Sequence, residues 1–332
     1  MFENNSNMLY YIIGDYMKYK ILSLLNKRKT FVSGQDIADA LNVSRTAVWK
    51  HISNLKKEGY NIVAISNRGY KLDCDLDILN DEEINYRPVK YIQEVGSTND
   101  VAKTLARENC DDKLLVVCDY QSSGKGRLGR KWMSEKGKGL YMSMVLRPDI
   151  MPVEAPQITL VAGMATALAI NELTGLNANI KWPNDIIVNG SKIVGILTEM
   201  SAEMESVKYV VVGIGVNVNN EQFDDDIKNK ASSLFLQTGQ KYRRAEIADA
   251  IVTKFMYLYD KYCKFGFASL ADEYNRLCIN IGRDVRTTGK TQVQGKALGI
   301  NENGELMIQT QDDIKTILSG EVSLRNINGE YI

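Results

Sequence analysis

Between residues 121 and 132 the chain reads Gln-Ser-Ser-Gly-Lys-Gly-Arg-Leu-Gly-Arg-Lys-Trp, and what flanks this segment restricts the fold more than any other feature. Gly124, Gly126 and Gly129 satisfy the letters G-x-G-x-x-G. A dinucleotide-binding loop, however, must open a helix and be followed by an acid about 20 residues on. Here a strand-like stretch, 114–119, leads in, and Gly139–Arg147, with the strand pattern GLYMSMVLR, leads out. A Rossmann unit is excluded on that ground. A P-loop fails too, because no G-x-x-x-x-G-K-[ST] occurs. What is left is a flexible glycine nest carrying Lys125, Arg127, Arg130 and Lys131, suited to closing over a strongly anionic ligand and excluding water from it. A solvated basic turn is the alternative.

Three further segments carry polar groups in positions that chemistry can use. Gly96-Ser97-Thr98-Asn99-Asp100 precedes Val101 and Leu105, so its hydroxyls fall at a helix N-terminus. Lys181-Trp182-Pro183-Asn184-Asp185 ends a strand. Beyond it, Asn189-Gly190 separates 186–188 from 192–199 in a hairpin that sets Lys192 just past the turn. Gly213-Ile214-Gly215-Val216-Asn217 is expected to follow a strand at 208–212, its glycines letting backbone come close to a ligand. Singly, each has a plain structural reading as a cap or a turn.

Charge separates the N-terminal part from the rest. The chain has no net charge, yet from Lys18 to Leu72 there are 11 Lys/Arg against 3 Asp/Glu, a local net of +8. A basic segment on a neutral chain points to a polyanionic partner for that segment alone. Its pattern is three helices and a strand pair. Ile21, Leu24 and Leu25 share one helix face, and Ser33-Gly34-Gln35-Asp36 opens a second helix burying Ile37 and Leu41. Asn42-Val43 turns the chain, and Ser44 caps a third helix that buries Val48, Ile52 and Leu55 and stops at Gly59. Strands at 61–66 and 70–72 enclose the basic tip Asn67-Arg68-Gly69. This is a winged helix-turn-helix, with Ser44, Arg45, Thr46, Trp49, Lys50 and Arg68 as candidate DNA contacts. A protein-binding winged helix is the alternative. Residues 1–16, upstream of Met17, read as a loose tail or as a start placed too early.

Other classes drop out. At 332 residues, two or three domains are expected. One histidine leaves no basis for His-ligated metal sites or a His-based triad, so no protein metal site is expected. Five cysteines with no C-x-x-C pair fit reduced thiols. No apolar run approaches the roughly 18 residues of a membrane span, and the N-terminus lacks signal-peptide form. No membrane partner and a cytoplasmic location are expected. From 285 onward, alternating stretches at 292–300, 305–309, 314–318 and 322–324 predict a small β-barrel.

Taken together and in order, GSTN, Q-x-x-GKGRLGRKW, KWPND, KIVGILTE, GIGVNVN and the terminal GEVSLR resemble the biotin protein ligases, with the winged helix marking the bifunctional ligase–repressor members. The resemblance covers roughly residues 18–330. Lys125 departs from the best-known member, which has arginine there; charge is kept and bidentate geometry lost. The fold class implied is α+β multidomain. A winged helix at 18–80 precedes a mixed-sheet α/β ligase domain at 85–280, related to class II aminoacyl-tRNA synthetases, and an SH3-like barrel at 281–332.

The resemblance implies two reactions: ATP and biotin give biotinoyl-5′-AMP, and a lysine of a biotin carboxyl carrier protein then takes the biotinoyl group. It implies Lys192 and Arg127 as catalytic cations. Biotin would be bound by Ser97, Thr98, Asn99, Gln121, Lys125, Gly126, Arg127 and Lys192. ATP, with Mg2+, would be bound by Arg127, Arg130, Lys181, Asn184, Asp185, Lys192 and Asn217, with Arg325 assisting. It also implies a homodimer when loaded with biotinoyl-AMP, binding operator DNA of biotin genes. A lipoate or octanoate ligase, and a DNA-binding regulator with an inactive ligase domain, are the competing readings.

Overall fold

The computed structural model describes residues 17–57, 60–73, 77–203, 206–288, 292–319 and 323–326. Two compact units divide the chain, Met1–Glu83 and Ile84–Ile332. The tail at 1–16, the stop at Gly59 and the start of the last strand at Val322 lie outside the described residues.

In the first unit, helical residues 17–28 (α1) are followed by α2 (Gly34–Leu41), α3 (Arg45–Lys57), β1 (Ile62–Ile65) and β2 (Gly69–Leu72). Ser33 Oγ accepts the Asp36 amide at 3.0 Å, and Ser44 Oγ accepts the Ala47 amide at 3.1 Å, so both helices start at their expected caps. Between them Asn42 adopts φ 51°, the left-handed turn that asparagine tolerates. α3 buries Val48, Ile52 and Leu55, each contributing about 1.5–3 kcal/mol of burial. In α1 the buried stripe is Ile21, Leu22 and Leu25, with Leu24 only partly covered. The expected face thus meets the core, Leu24 from its margin, and Leu22 widens the stripe. β1 and β2 pair antiparallel around the 66–68 turn, making the wing.

The second unit is built on a seven-stranded mixed sheet. Its strands are β3 (Val89–Val95), β4 (Leu115–Gln121), β5 (Leu140–Leu146), β6 (Asn179–Lys181), β7 (Asp185–Val188), β8 (Ser191–Glu203) and β9 (Ser206–Val216), in spatial order β3-β4-β5-β9-β8-β7-β6. Only β3 and β4 run parallel; the other neighbours are antiparallel. Successive strand residues point to opposite faces, and β8 shows it: Thr198 bonds Thr159 of α5 (Ala155–Thr174), while Glu199 bonds Lys103 of α4 (Thr98–Arg107). α4 lies on one face, packing Ala102 and Ala106 on Val116, Val145 and Val211. α5 lies on the other, between the sheet and α7 (Arg244–Phe265), and is apolar nearly all round for that reason. Short α6 (Leu234–Thr238) precedes α7, and α8 (Ala268–Leu277) follows it.

The expected end of β9 at residue 212 is corrected: the strand continues to Val216, so Gly213 and Gly215 are ladder residues. The chain finishes in a five-stranded antiparallel sheet. It comprises β10 (Asp284–Thr288), β11 (Gln294–Ile300), β12 (Leu306–Gln309), β13 (Ile314–Ile317) and β14 (Ser323–Asn326), in order β13-β12-β11-β10-β14.

Candidate active site

A row of glycines opens a hollow on the α4 face. Gly195 of β8 and Gly215 of β9 are ladder partners, and Gly213 sits two residues along. A Cβ on Gly195 or Gly215 would lie 2.6 Å from the Trp132 indole, and one on Gly213 would overlap the Asn99 side chain. Bare backbone here is therefore what admits an indole and an amide to the sheet surface. Trp132 was absent from the expected site. Its ring lies 5.4 Å from Lys192 Nζ, and its indole N–H is buried without a protein partner.

The polar wall comes from α4, β4 and β5. Ser97 holds the N-cap position of α4 but makes no side-chain cap bond, so the plain-cap reading fails for its hydroxyl. Gln121 Oε1 accepts from the Thr98 amide at 2.9 Å and lies 3.2 Å from its hydroxyl. Ser143 Oγ stands 2.7 Å from Thr98 Oγ1 and 2.6 Å from Asn99 Oδ1, while Asn99 Nδ2 donates to Glu199 at 2.8 Å. Ser143 and Glu199, also absent from the expected set, orient the wall; only their ladder positions reveal that. Ser97, Thr98, Asn99, Gln121, Lys125, Gly126, Arg127 and Lys192, all eight expected biotin residues, line one cavity of about 50 Å³.

The glycine loop arches over this hollow as a small closed unit. Gly126 N donates to Arg130 O at 2.7 Å, and Trp132 N to Gly124 O at 2.9 Å. A 3₁₀ turn at Arg127–Gly129 leaves Leu128 at its tip, at φ 56° and 64% exposed. Arg127 anchors the tip, donating to Asn184 Oδ1 at 2.9 Å and to the Ser319 carbonyl at 2.6 Å. Lys125 anchors the other flank on Asp100 at 2.7 Å.

On the far side of Lys192 a second cavity, of about 660 Å³, is lined by Arg130, Trp132, Asp185, Lys192, Asn217 and Arg325 among others. Lys181 and Asn184 line a smaller recess that shares Arg130, Asp185 and Lys192 with it. Lys192 pairs with Asp185 at 2.6 Å. Burial pushes the Lys181 ammonium down to about 7; Asp185 opposes the shift, and Arg325, Lys192 and Arg130 add to it. Burial also draws Arg127 below its ordinary value, against Asp185. This is a concentration of positive charge held ready for an anion. Among the described residues no group of three His, Cys, Asp or Glu is placed to hold a metal.

On the first unit, Ser44, Arg45, Thr46, Trp49 and Lys50 are exposed at the start of α3, Trp49 at 62%. Ser44 spends its hydroxyl on the cap. Arg68 is exposed on the wing, its guanidinium 4.8 Å from the Phe31 ring centre.

Three family models match the chain: an HTH domain at 18–71, the biotin/lipoate A/B protein ligase family at 91–217, and the biotin protein ligase C terminal domain at 281–325. The bifunctional ligase/repressor BirA of Bacillus subtilis is 41% identical over 305 residues, covering 89% of this chain and 94% of that protein. The protein of the same name from Escherichia coli is 28% identical over 312 residues, covering 92% and 97%. Among solved structures, biotin protein ligase from Aquifex aeolicus in complex with biotin and ATP superposes with a TM-score of 0.65 at 33% identity, covering 73% of this chain and all of that one.

Proposed function

The chain belongs to the biotin protein ligases that carry an N-terminal helix-turn-helix, the bifunctional ligase/repressor family, and from that premise we propose how its residues divide the work. It joins biotin to protein through ATP, and it is a helix-turn-helix repressor. One observation carries the assignment of roles: Lys192 lines both the glycine-floored cavity and the larger cationic one. A cation at that junction stands where a carboxylate held in the first meets a phosphate held in the second.

In the first step a biotin carboxylate oxygen attacks the α-phosphorus, the bond to the bridging oxygen breaks, and pyrophosphate leaves. Two anions must approach, so the chain's main contribution is positioning and positive charge. Thr98, Asn99 and Gln121, with Ser97, hold the ureido ring. Lys192 leaves Asp185 to bridge carboxylate and α-phosphate, and Arg127 closes over them. Arg130, Lys181, Asn217 and Arg325 receive the remaining nucleotide. Asp185, paired with Lys192 at 2.6 Å, would be the carboxylate offered to a Mg2+ ion accompanying ATP, and the ion would supply neutralisation of phosphate charge. In the second step a neutral lysine amine of the carrier protein attacks the acyl carbon; the acyl–phosphate C–O bond breaks, AMP leaves, and the amine sheds its proton.

The domains are read as 18–80, 85–280 and 281–332. The antiparallel terminal sheet supports an SH3-like barrel, and the largely antiparallel central sheet supports kinship with class II aminoacyl-tRNA synthetases. No described helix is long and apolar enough to cross a membrane, and a cytoplasmic location is proposed, as is a dimer of the adenylate-loaded form on operator DNA. The test is labelling of a biotin carboxyl carrier domain, which should require both biotin and ATP; lipoate in place of biotin should give none. Lys192→Ala should slow biotin-dependent pyrophosphate exchange by about 10²–10³. Near-normal exchange in that variant would remove Lys192 from the catalytic role.

A further inference from the structure

The acidic residue that follows the pocket-lining trio Ser97, Thr98 and Asn99 has no part in the chemistry above, yet the glycine loop is tied to it. Asp100 lies in the first turn of α4, and Lys125 Nζ stands 2.7 Å from each of its carboxylate oxygens. The pair does not stand alone. Lys103, one turn along α4, reaches Asp100 at 3.0 Å and Glu199 of β8 at 2.6 Å. Glu199 in turn receives the Asn99 amide, and Asn99 receives Ser143. Charges therefore alternate from the loop (Lys125) through helix (Asp100, Lys103) to sheet (Glu199), and end on an amide in the pocket wall.

The loop is internally bonded between Gly124 and Trp132, so its flanks move together with its tip. Asp100, by contrast, is fixed to a helix packed on the sheet. Opening the loop must then separate Lys125 from Asp100, while leaving the loop's own hydrogen bonds intact. An interaction present only in the closed state shifts the open–closed equilibrium by its own differential strength.

We propose that Asp100 is a positioning residue, the catch that holds the cationic loop closed through Lys125, with Lys103 and Glu199 fixing the catch to the wall that Asn99 presents. Lys125 on this reading acts through its side chain on the protein, and offers the ligand its backbone. The inference rests on the ligase reading, since the ligand retained is the adenylate. Both partners of the pair are nearly half exposed, so the effect is that of a screened pair, about two- to fivefold.

The experiment loads the full-length protein with biotinoyl-AMP made from biotin and ATP, then follows its release into a chase of unlabelled biotin. D100N and K125Q should each release the adenylate about two- to fivefold faster than the unsubstituted protein. The double variant should be no faster than either single one, because the same contact is lost once. D100E should restore slow release, and added salt should speed release from the unsubstituted protein more than from D100N. The biotin KM of D100N should rise more than its kcat for pyrophosphate exchange falls. Equal release from D100N and the unsubstituted protein, at matched thermal stability, overturns the catch, as does full additivity in the double variant. Failure of the unsubstituted protein to form any adenylate overturns the ligase reading instead.

Discussion

Lys181 ends β6 as a buried ammonium near Lys192, Arg130 and Arg325, with Asp185 opposing them, and its value of about 7 has a consequence for nucleotide binding. At about pH 8 the free site holds this group mostly neutral. A bound phosphate favours the charged form and moves the group back up, so binding takes up a proton. At about pH 6 the ammonium is charged before and after, and no uptake is expected. Calorimetry with a non-hydrolysable ATP analogue, in two buffers of different ionisation enthalpy, should show uptake approaching one proton at the higher pH. Lys181→Met should abolish it; uptake unchanged in that variant would assign the proton to another group. Ser97, Gln121, Lys181 and Lys192 entered the expected set through the family resemblance that their motifs carry. Ser143, Glu199 and Trp132 did not. Their roles depend on which strand lies beside which, as when Ser143 meets Gly213 across the ladder, and no local pattern encodes that pairing.

For whole elements, local signals succeeded where the chain decides its own geometry. The Asn189–Gly190 turn, with φ of 47° and 79°, delivers the expected hairpin between β7 and β8, and the caps of α2 and α3 fall on Ser33 and Ser44. They failed where neighbours decide. Gly213 and Gly215 read as a strand end, since glycine weakens an isolated strand, but pairing on both sides by β5 and β8 carries β9 through them. The glycine loop was legible as a cationic, glycine-rich segment between two strands and not in its moorings, which join Arg127 to Asn184 on one side and to the Ser319 carbonyl on the other. Arg127→Gly removes both bonds and the cation with them, so biotinoyl-AMP should escape about tenfold or more faster and appear free in solution, where it labels lysines without selection. Release at the ordinary rate, read by recovery of adenylate after rapid desalting, would show that the tip is not held by Arg127.

At the scale of the molecule, the question is how a ligase and a basic winged helix serve one chain. The segment from Lys18 to Leu72 has a net charge of +8 and the remainder balances it at −8, so DNA is attracted by that segment of the chain and not by the chain as a whole. Arg45 and Lys50 stand exposed at the start of α3, beside Trp49. Charge of this kind gives affinity that falls steeply with salt and carries little information about biotin supply. Information must come from a ligand that binds two states of the protein unequally. The retained adenylate is that ligand on the present reading, because forming it needs biotin, ATP and Lys192 together. Gel-shift titrations of the full-length protein on a two-fold symmetric operator should therefore tighten by about 5–150-fold when biotin and ATP are both added. Lys192→Ala should show no such gain with the same additions, and should recover it when biotinoyl-AMP is supplied in excess. Arg45→Ala and Lys50→Ala should weaken both states alike, each lowering the slope of log affinity on log salt by about 0.9 for a lost phosphate contact. Equal DNA affinity with and without the adenylate, in a protein that demonstrably retains it, would leave the two activities on one chain without a thermodynamic link between them.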